Sequence, residues 1–135
     1  MKPTKRKSQI VEAAIKLFAK CGYHATQVSD IIDEAKIARG TFYLYFESKH
    51  KIFNFILDEF IAHFRSQIKD IELGSPVSPA EQMRGNVDRI VDSVLKKPEL
   101  AKIIFNEAVG LDKKIDQRLS AFYDDLINII ESSIK

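Results

Sequence analysis

Residues 30–51 read DIIDEAKIARGTFYLYFESKHK. Phe42, Tyr43, Tyr45 and Phe46 put four aromatic rings into five positions, straight after Arg39-Gly40-Thr41. Ile31, Ala35, Ile37 and Phe42 are spaced to close a core between two short helices, the second running from about Ala38 to Leu44. Ala35-Lys36-Ile37 is the tight turn between them. That is a helix-turn-helix pattern. In such a unit the second helix can enter the DNA major groove with its N-terminal residues at base edges. Those residues are Ala38, Arg39, Gly40 and Thr41. Arg39 can fork onto guanine or hold a phosphate, and Thr41 can meet a thymine methyl or a phosphate. Gly40 lets backbone approach the duplex. Lys36 stands where the turn would prefer glycine, so either it adopts a left-handed conformation or the turn takes another shape.

Working outward, the whole chain carries helical periodicity and no alternating strand pattern. Ile10, Ala14, Leu17, Phe18 and Cys21 form one face of a first helix that Gly22 ends. Thr26 is expected to N-cap the second helix. Ser48 is expected to cap a long fourth helix with an apolar stripe from Phe53 to Ile71, stopped at Gly74-Ser75-Pro76. Ser78-Pro79-Ala80-Glu81 reads as a capping box with proline at the first helical position. It opens a fifth helix expected to bury Met83, Val87, Ile90, Val91, Val94 and Leu95. Pro98 opens a short sixth helix that Gly110 ends. Asp112 caps a seventh, with Ile115, Leu119 and Phe122 on its stripe. The fold class is all-α: a three-helix DNA-binding domain over residues 1–47, then a helical effector-binding domain over 48–135.

Charge divides the same way. Residues 1–51 hold ten Lys/Arg against five Asp/Glu, whereas residues 52–135 hold eleven against fourteen. A basic first third on an acidic remainder fits a polyanion-binding head on a body with another task. No apolar run approaches a membrane span, and one cysteine, Cys21, excludes an internal disulfide, which fits a reducing cytoplasm. His24, His50 and His63 lack metal-ligand spacing, and no metal site is expected. No phosphate loop, zinc-protease motif or nucleophile elbow is present, so no enzyme activity is expected.

The stretch GYHATQVSDIIDEAKIARGTFYLYFESKHKIF, preceded by IVEAAIKLFAKC, resembles the DNA-binding domain of the tetracycline-repressor-like (TetR) transcriptional regulators. The likeness covers about residues 6–53. It implies a ligand-responsive repressor that binds a palindromic operator in double-stranded DNA as a homodimer. It also implies roles for single residues. Thr26 and Gln27 would hold phosphate through side chains and backbone N–H groups. Tyr43 and Tyr45 would donate to phosphates, Lys49 would add a phosphate contact, and Lys5, Arg6 and Lys7 would form a basic arm. Lys36 would add to the basic face, while Phe42 and Phe46 would be core.

The chain departs from the family pattern at Ile32, where a small residue is usual, at Lys36, where glycine is usual, and at Ala38, where serine is usual. The resemblance further implies two more helices after the seventh, forming a dimer interface. Ile32, Lys36, Ala38 and the short C-terminus motivate one alternative, a ligand-binding or interaction module with a vestigial head; the short C-terminus also motivates another, a truncated member impaired in dimerisation. Phe60, Phe64, Met83, Phe105, Phe122 and Tyr123 line either an effector cavity or plain core, with His63 as a polar group beside it. The effector expected there is a small apolar or aromatic molecule.

Overall fold

The computed structural model describes residues 3–107 and 113–134. Its helices are α1 (Pro3–Cys21), α2 (Val28–Ala35), α3 (Arg39–Tyr45), α4 (Lys49–Ser66), α5 (Pro79–Lys96), α6 (Pro98–Lys102) and α7 (Lys113–Ile134). A π-helical turn, Ile103–Glu107, continues α6. There is no strand among the described residues. The helix end expected at Gly110 and the cap expected at Asp112 lie outside them.

The head forms because α1 is apolar on one side only. Ile10, Ala14 and Phe18 are fully buried there, against Ile31 and Ile32 of α2, Phe42 of α3 and Phe53 of α4. Phe18, Tyr23 and Phe53 meet as a trio of rings, with centroids 5.3–6.0 Å apart, in edge-on or tilted arrangements that aromatic quadrupoles favour. Gly22 has φ 88°, and its N–H donates to the Phe18 carbonyl at 3.0 Å, so α1 ends where a residue without Cβ is needed. Cys21, expected on the buried face, is exposed instead. It occupies the last turn, where the chain is already leaving the core.

Helix α4 belongs to both halves. Its N-terminal turns bury Ile52, Phe53, Ile56 and Leu57, and its later turns bury Phe60 and Phe64, which pack on Phe122 of α7. Two clamps flank that aromatic contact. Arg118 of α7 donates to Asn54 at 3.1 Å and pairs with Asp58, and Arg65 pairs with Asp125 at 2.9 Å. The Ser48 hydroxyl caps α4 by accepting from Lys51 N–H at 3.2 Å, and Ser78 caps α5 by accepting from Glu81 N–H at 3.2 Å.

The expected extent of α4 needs correction. The helix stops at Ser66 although Ile68 and Ile71 continue its apolar period. The backbone beyond takes its partners from α5 side chains. Asn86 Oδ1 accepts from Lys69 N–H and its Nδ2 donates to Lys69 C=O, both at 2.9 Å. Arg89 Nε donates to Gln67 C=O at 2.8 Å, and Gln82 brackets Glu72 through its N–H at 2.7 Å and its C=O at 2.9 Å. These bonds satisfy groups that another helical turn would otherwise pair. The burial of α5 is also corrected. Val87, Val91 and Leu95 are exposed, and the residue of α5 that is fully inside is Asn86. Helix α5 turns its Asn86 edge to the loop after α4, which leaves the Val87–Val91–Leu95 ridge on the outside.

Candidate nucleic-acid interface

The turn between α2 and α3 is built on Lys36. Its backbone is left-handed, at φ 56° and ψ 48°. Lys36 N–H donates to Asp33 C=O at 3.2 Å, and Ile37 N–H reaches back to Ile32 C=O at 3.3 Å. This pair of bonds is the Schellman arrangement, usually closed by glycine. The accompanying apolar contact comes from Ile32, which is buried, and Ile37, which packs on the core. The left-handed alternative is therefore the one adopted.

The start of α2 differs from expectation. Its N-cap is Gln27, whose N–H donates to Asp30 Oδ2 at 2.8 Å. Thr26 is fully buried. Its hydroxyl donates to Gly22 C=O at 2.7 Å and its N–H to Tyr23 C=O at 3.3 Å. A buried hydroxyl must find a partner, and that requirement turns Thr26 inward. Its side chain neither caps α2 nor faces outward for a phosphate, and the backbone N–H groups of Thr26 and Gln27 are already engaged. The Gln27 side chain is exposed.

Helix α3 splits its residues cleanly. Phe42 is fully buried and Phe46 nearly so, with ring centroids 6.4 Å apart. Arg39 and Gly40 are exposed, Thr41 and Tyr45 half-buried, and Tyr43 is 48% exposed, its ring edge-on to Phe42 at 5.1 Å. A Cβ added at Gly40 would meet open space. Ala38 holds the N-cap position in extended conformation without a side-chain bond. The residue that sequence reasoning passed over is Leu44, at 82% exposure. Its signal was available: it lies two positions from both Phe42 and Phe46, about 160° of helix rotation from each.

Lys49 behaves differently from a surface cation. Its ammonium donates to the carbonyls of Tyr23 at 2.8 Å, Thr26 at 2.9 Å and His24 at 3.4 Å, and sits 4.3 Å from the centre of the Tyr23 ring. It ties the first turn of α4 to the α1–α2 connection. Lys5 is exposed and Arg6 half-buried, while the Lys7 ammonium lies over the Phe55 ring at 4.2 Å. A bridge of 2.8 Å joins Lys16 of α1 to Glu34 of α2. The hydrogen bond and charge of Lys16 hold the Glu34 carboxyl below its ordinary range, and Glu34 raises Lys16 in return.

In the body, Phe60, Phe64, Phe122 and Tyr123 come together with neighbouring centroids 4.8–6.0 Å apart. A cleft of about 390 Å³ opens beside them, bordered by Phe64, Ile68 and Phe122 with Arg65, Asp70, Asp125 and Asn128. Of the residues expected at an effector cavity only Phe64 and Phe122 border it; Phe60, His63, Met83, Phe105 and Tyr123 do not. Met83 is half-buried, and Phe105 and His63 are exposed. No group of three or more metal-ligating side chains occurs among the described residues, and no described helix is long and apolar enough to cross a membrane.

Two short helices locked at a tight turn, with arginine, glycine, threonine and tyrosine outward at the start of the second, define a helix-turn-helix DNA-binding head. Residues 10–56 match the profile of the bacterial regulatory proteins of the tetR family. Over that stretch the chain carries the DNA-binding domain of that family. It is 41% identical over 123 residues to the fatty acid metabolism regulator protein of Bacillus subtilis (strain 168), covering 91% of this chain and 63% of that protein. Among solved structures, a TetR-like transcriptional regulator from Rhodococcus sp. RHA1 superposes with TM-score 0.79 at 25% identity, over 95% of this chain and 68% of that one. The transcriptional regulator FadR from Bacillus subtilis, solved in complex with stearoyl-CoA, superposes with TM-score 0.68 at 26% identity, over 94% of this chain and 68% of that one. The chain spans less than two thirds of the length of the curated relatives it matches.

Proposed function

We propose that this chain is a regulator of transcription rather than an enzyme: a repressor that binds a palindromic operator as a dimer in the cytoplasm and is released by a small apolar effector. The observation that carries the reading is the outward face of α3. Gly40 and Tyr43 are exposed away from the side anchored by Phe42 and Phe46, and Arg39 is exposed at the first turn of the helix. An exposed arginine at the start of such a helix is suited to guanine edges, and the phenol of Tyr43 to a phosphate. Lys5, Arg6, Gln27, Lys36, Thr41 and Tyr45 complete the surface offered to the backbone. Two heads on a two-fold axis would place their α3 helices in successive major grooves, about 34–36 Å apart.

The relative named for fatty acid metabolism and the solved neighbour holding stearoyl-CoA support a long acyl chain as the effector class. The cleft between α4 and α7 offers an acyl chain one apolar side, made of Phe64, Ile68 and Phe122, with Arg65, Asp70, Asp125 and Asn128 around it. An effector that favours one spacing of the two heads would weaken operator binding by population shift.

Selection from a randomised duplex pool tests the DNA reading. The purified chain is expected to enrich one sequence with two-fold symmetry, and Arg39→Ala to lose that enrichment. No enrichment, or enrichment unaffected by Arg39→Ala, overturns it. Stearoyl-CoA titrated onto the complex is expected to release the DNA, and binding unchanged by it overturns the acyl effector.

A further inference from the structure

Helix rotation of about 100° per residue fixes what α3 presents at its crest. With Phe42 pointing into the core, Gly40 and Leu44 both fall about 160° away from it, on either side of the point opposite. Thr41 and Tyr43 lie on the two shoulders, about 100° from Phe42, and Arg39 lies lower at about 60°. The outermost ridge of the helix is therefore a residue with no side chain followed one turn later by a leucine. Gly40 has open space where a Cβ would stand. Leu44 is 82% exposed, and its neighbours on the shoulders are a hydroxyl and a phenol. A leucine this exposed on the crest of α3 is not used by the core of its own domain.

Resting on the DNA-binding reading above, we infer that Leu44 contacts bases directly and reads the C5-methyl group of thymine in the major groove. The chemistry leaves one choice. A leucine neither donates nor accepts a hydrogen bond, and the groove floor is otherwise made of ring nitrogens, carbonyls and amino groups. Thymine alone among the standard bases offers a methyl group there. Facing a guanine or cytosine edge, Leu44 would cover donors and acceptors without replacing their water. Gly40 complements it, because the missing side chain lets the helix sink until Leu44 reaches the floor. Arg39 and Leu44 then read different positions, about 7 Å apart along the helix axis: a guanine edge at the start of α3 and a thymine near its end.

The experiment removes the methyl group and nothing else. Each thymine of the selected operator is replaced in turn by deoxyuridine, and the dissociation constant is measured for the wild type, Leu44→Ala and Leu44→Met. At one position per half-site the wild type is expected to weaken about fourfold, the contribution of one buried methyl group. Leu44→Ala is expected to bind both duplexes equally, and Leu44→Met, which keeps an apolar tip, to retain discrimination. If every uracil substitution affects the wild type and Leu44→Ala alike while Arg39→Ala still abolishes binding, the inference falls and the DNA reading stands. If the pool yields no operator, both fall. Circular dichroism of the variants, substituted at an exposed site, is expected to match the wild type.

Discussion

Replacing Lys49 by methionine separates two roles that a lysine at the start of α4 can play. Methionine keeps the apolar stem and removes the charge. In the structure the ammonium is shared among three carbonyls, two of them within 2.9 Å, and faces the Tyr23 ring. A hydrogen bond with a charged partner contributes about 1.5–3 kcal/mol net. The ring contact adds about 0.5–1 kcal/mol. The carbonyls share one charge and regain some water when it goes, so the contributions do not add fully, and the loss expected is about 2–4 kcal/mol. For 135 residues an unfolding entropy of about 2.1 cal/mol/K per residue makes that a fall in Tm of about 7–14 °C. Thermal unfolding followed by circular dichroism measures it. Operator binding is then measured against salt, well below the lower Tm. A strut leaves the slope of log Kd on log salt unchanged, whereas a lost phosphate contact lowers it by about 0.9 per chain. A Tm held within about 1 °C together with the lowered slope would refute the strut.

Lys36→Gly removes the penalty of a left-handed lysine and is expected to stabilise by about 0.5–1 kcal/mol, seen as a higher urea midpoint with unchanged m-value; a lower midpoint counts against the Schellman turn. Asn86→Ala strips both partners from Lys69 and is expected to cost about 1–3 kcal/mol, with Asn86→Asp also losing stability because it cannot donate to the Lys69 carbonyl; equal urea midpoints for all three proteins would contradict this. The Lys16–Glu34 bridge has two pH edges. Glu34 is lowered on folding, so its contribution is present above the ordinary carboxylate range and lost as pH falls through the folded value. Lys16 is raised, so its contribution is present below the ordinary lysine value and lost as pH rises through the folded one. Glu34→Gln is expected to flatten the acid edge of the urea midpoint-versus-pH curve, an effect that salt also diminishes; an unchanged acid edge would show that the bridge does not form in solution.

Features written in neighbouring residues were legible in the sequence. Gly22 ending α1, the Ser48 and Ser78 caps and the division of Phe42 and Phe46 from Tyr43 depend on spacing over a few positions, and spacing is what a helix repeats. Thr26 was misplaced because threonine and glutamine both stand near a helix start, and the deciding bond goes to Gly22 from a fully buried site. The end of α4 was hidden for a stronger reason. Ile68 and Ile71 continue the period, but the side chains that claim the backbone there lie 10 to 22 residues downstream in α5. Periodicity also shows that a helix has an apolar face without showing what stands opposite, hence the exposed ridge of α5. Leu44 was named only as the end of its helix, although its spacing from Phe42 already turned it outward. Of the residues expected at an effector cavity, the phenylalanines of α4 and α7 and Tyr123 assemble because those helices pack directly; Met83 and Phe105 sit on elements whose placement no local pattern encodes.

The loop after α4 carries one more consequence. Lys69 and Glu72 have no regular secondary structure around them, yet their amide hydrogens are held by Asn86 and Gln82. Deuterium uptake at these two amides should be slow, like that of a helix interior, and should become fast only when α5 lifts away. Two slow amides in an irregular segment thus act as a built-in reporter of whether α5 is seated, readable without any label and independent of whether DNA is bound.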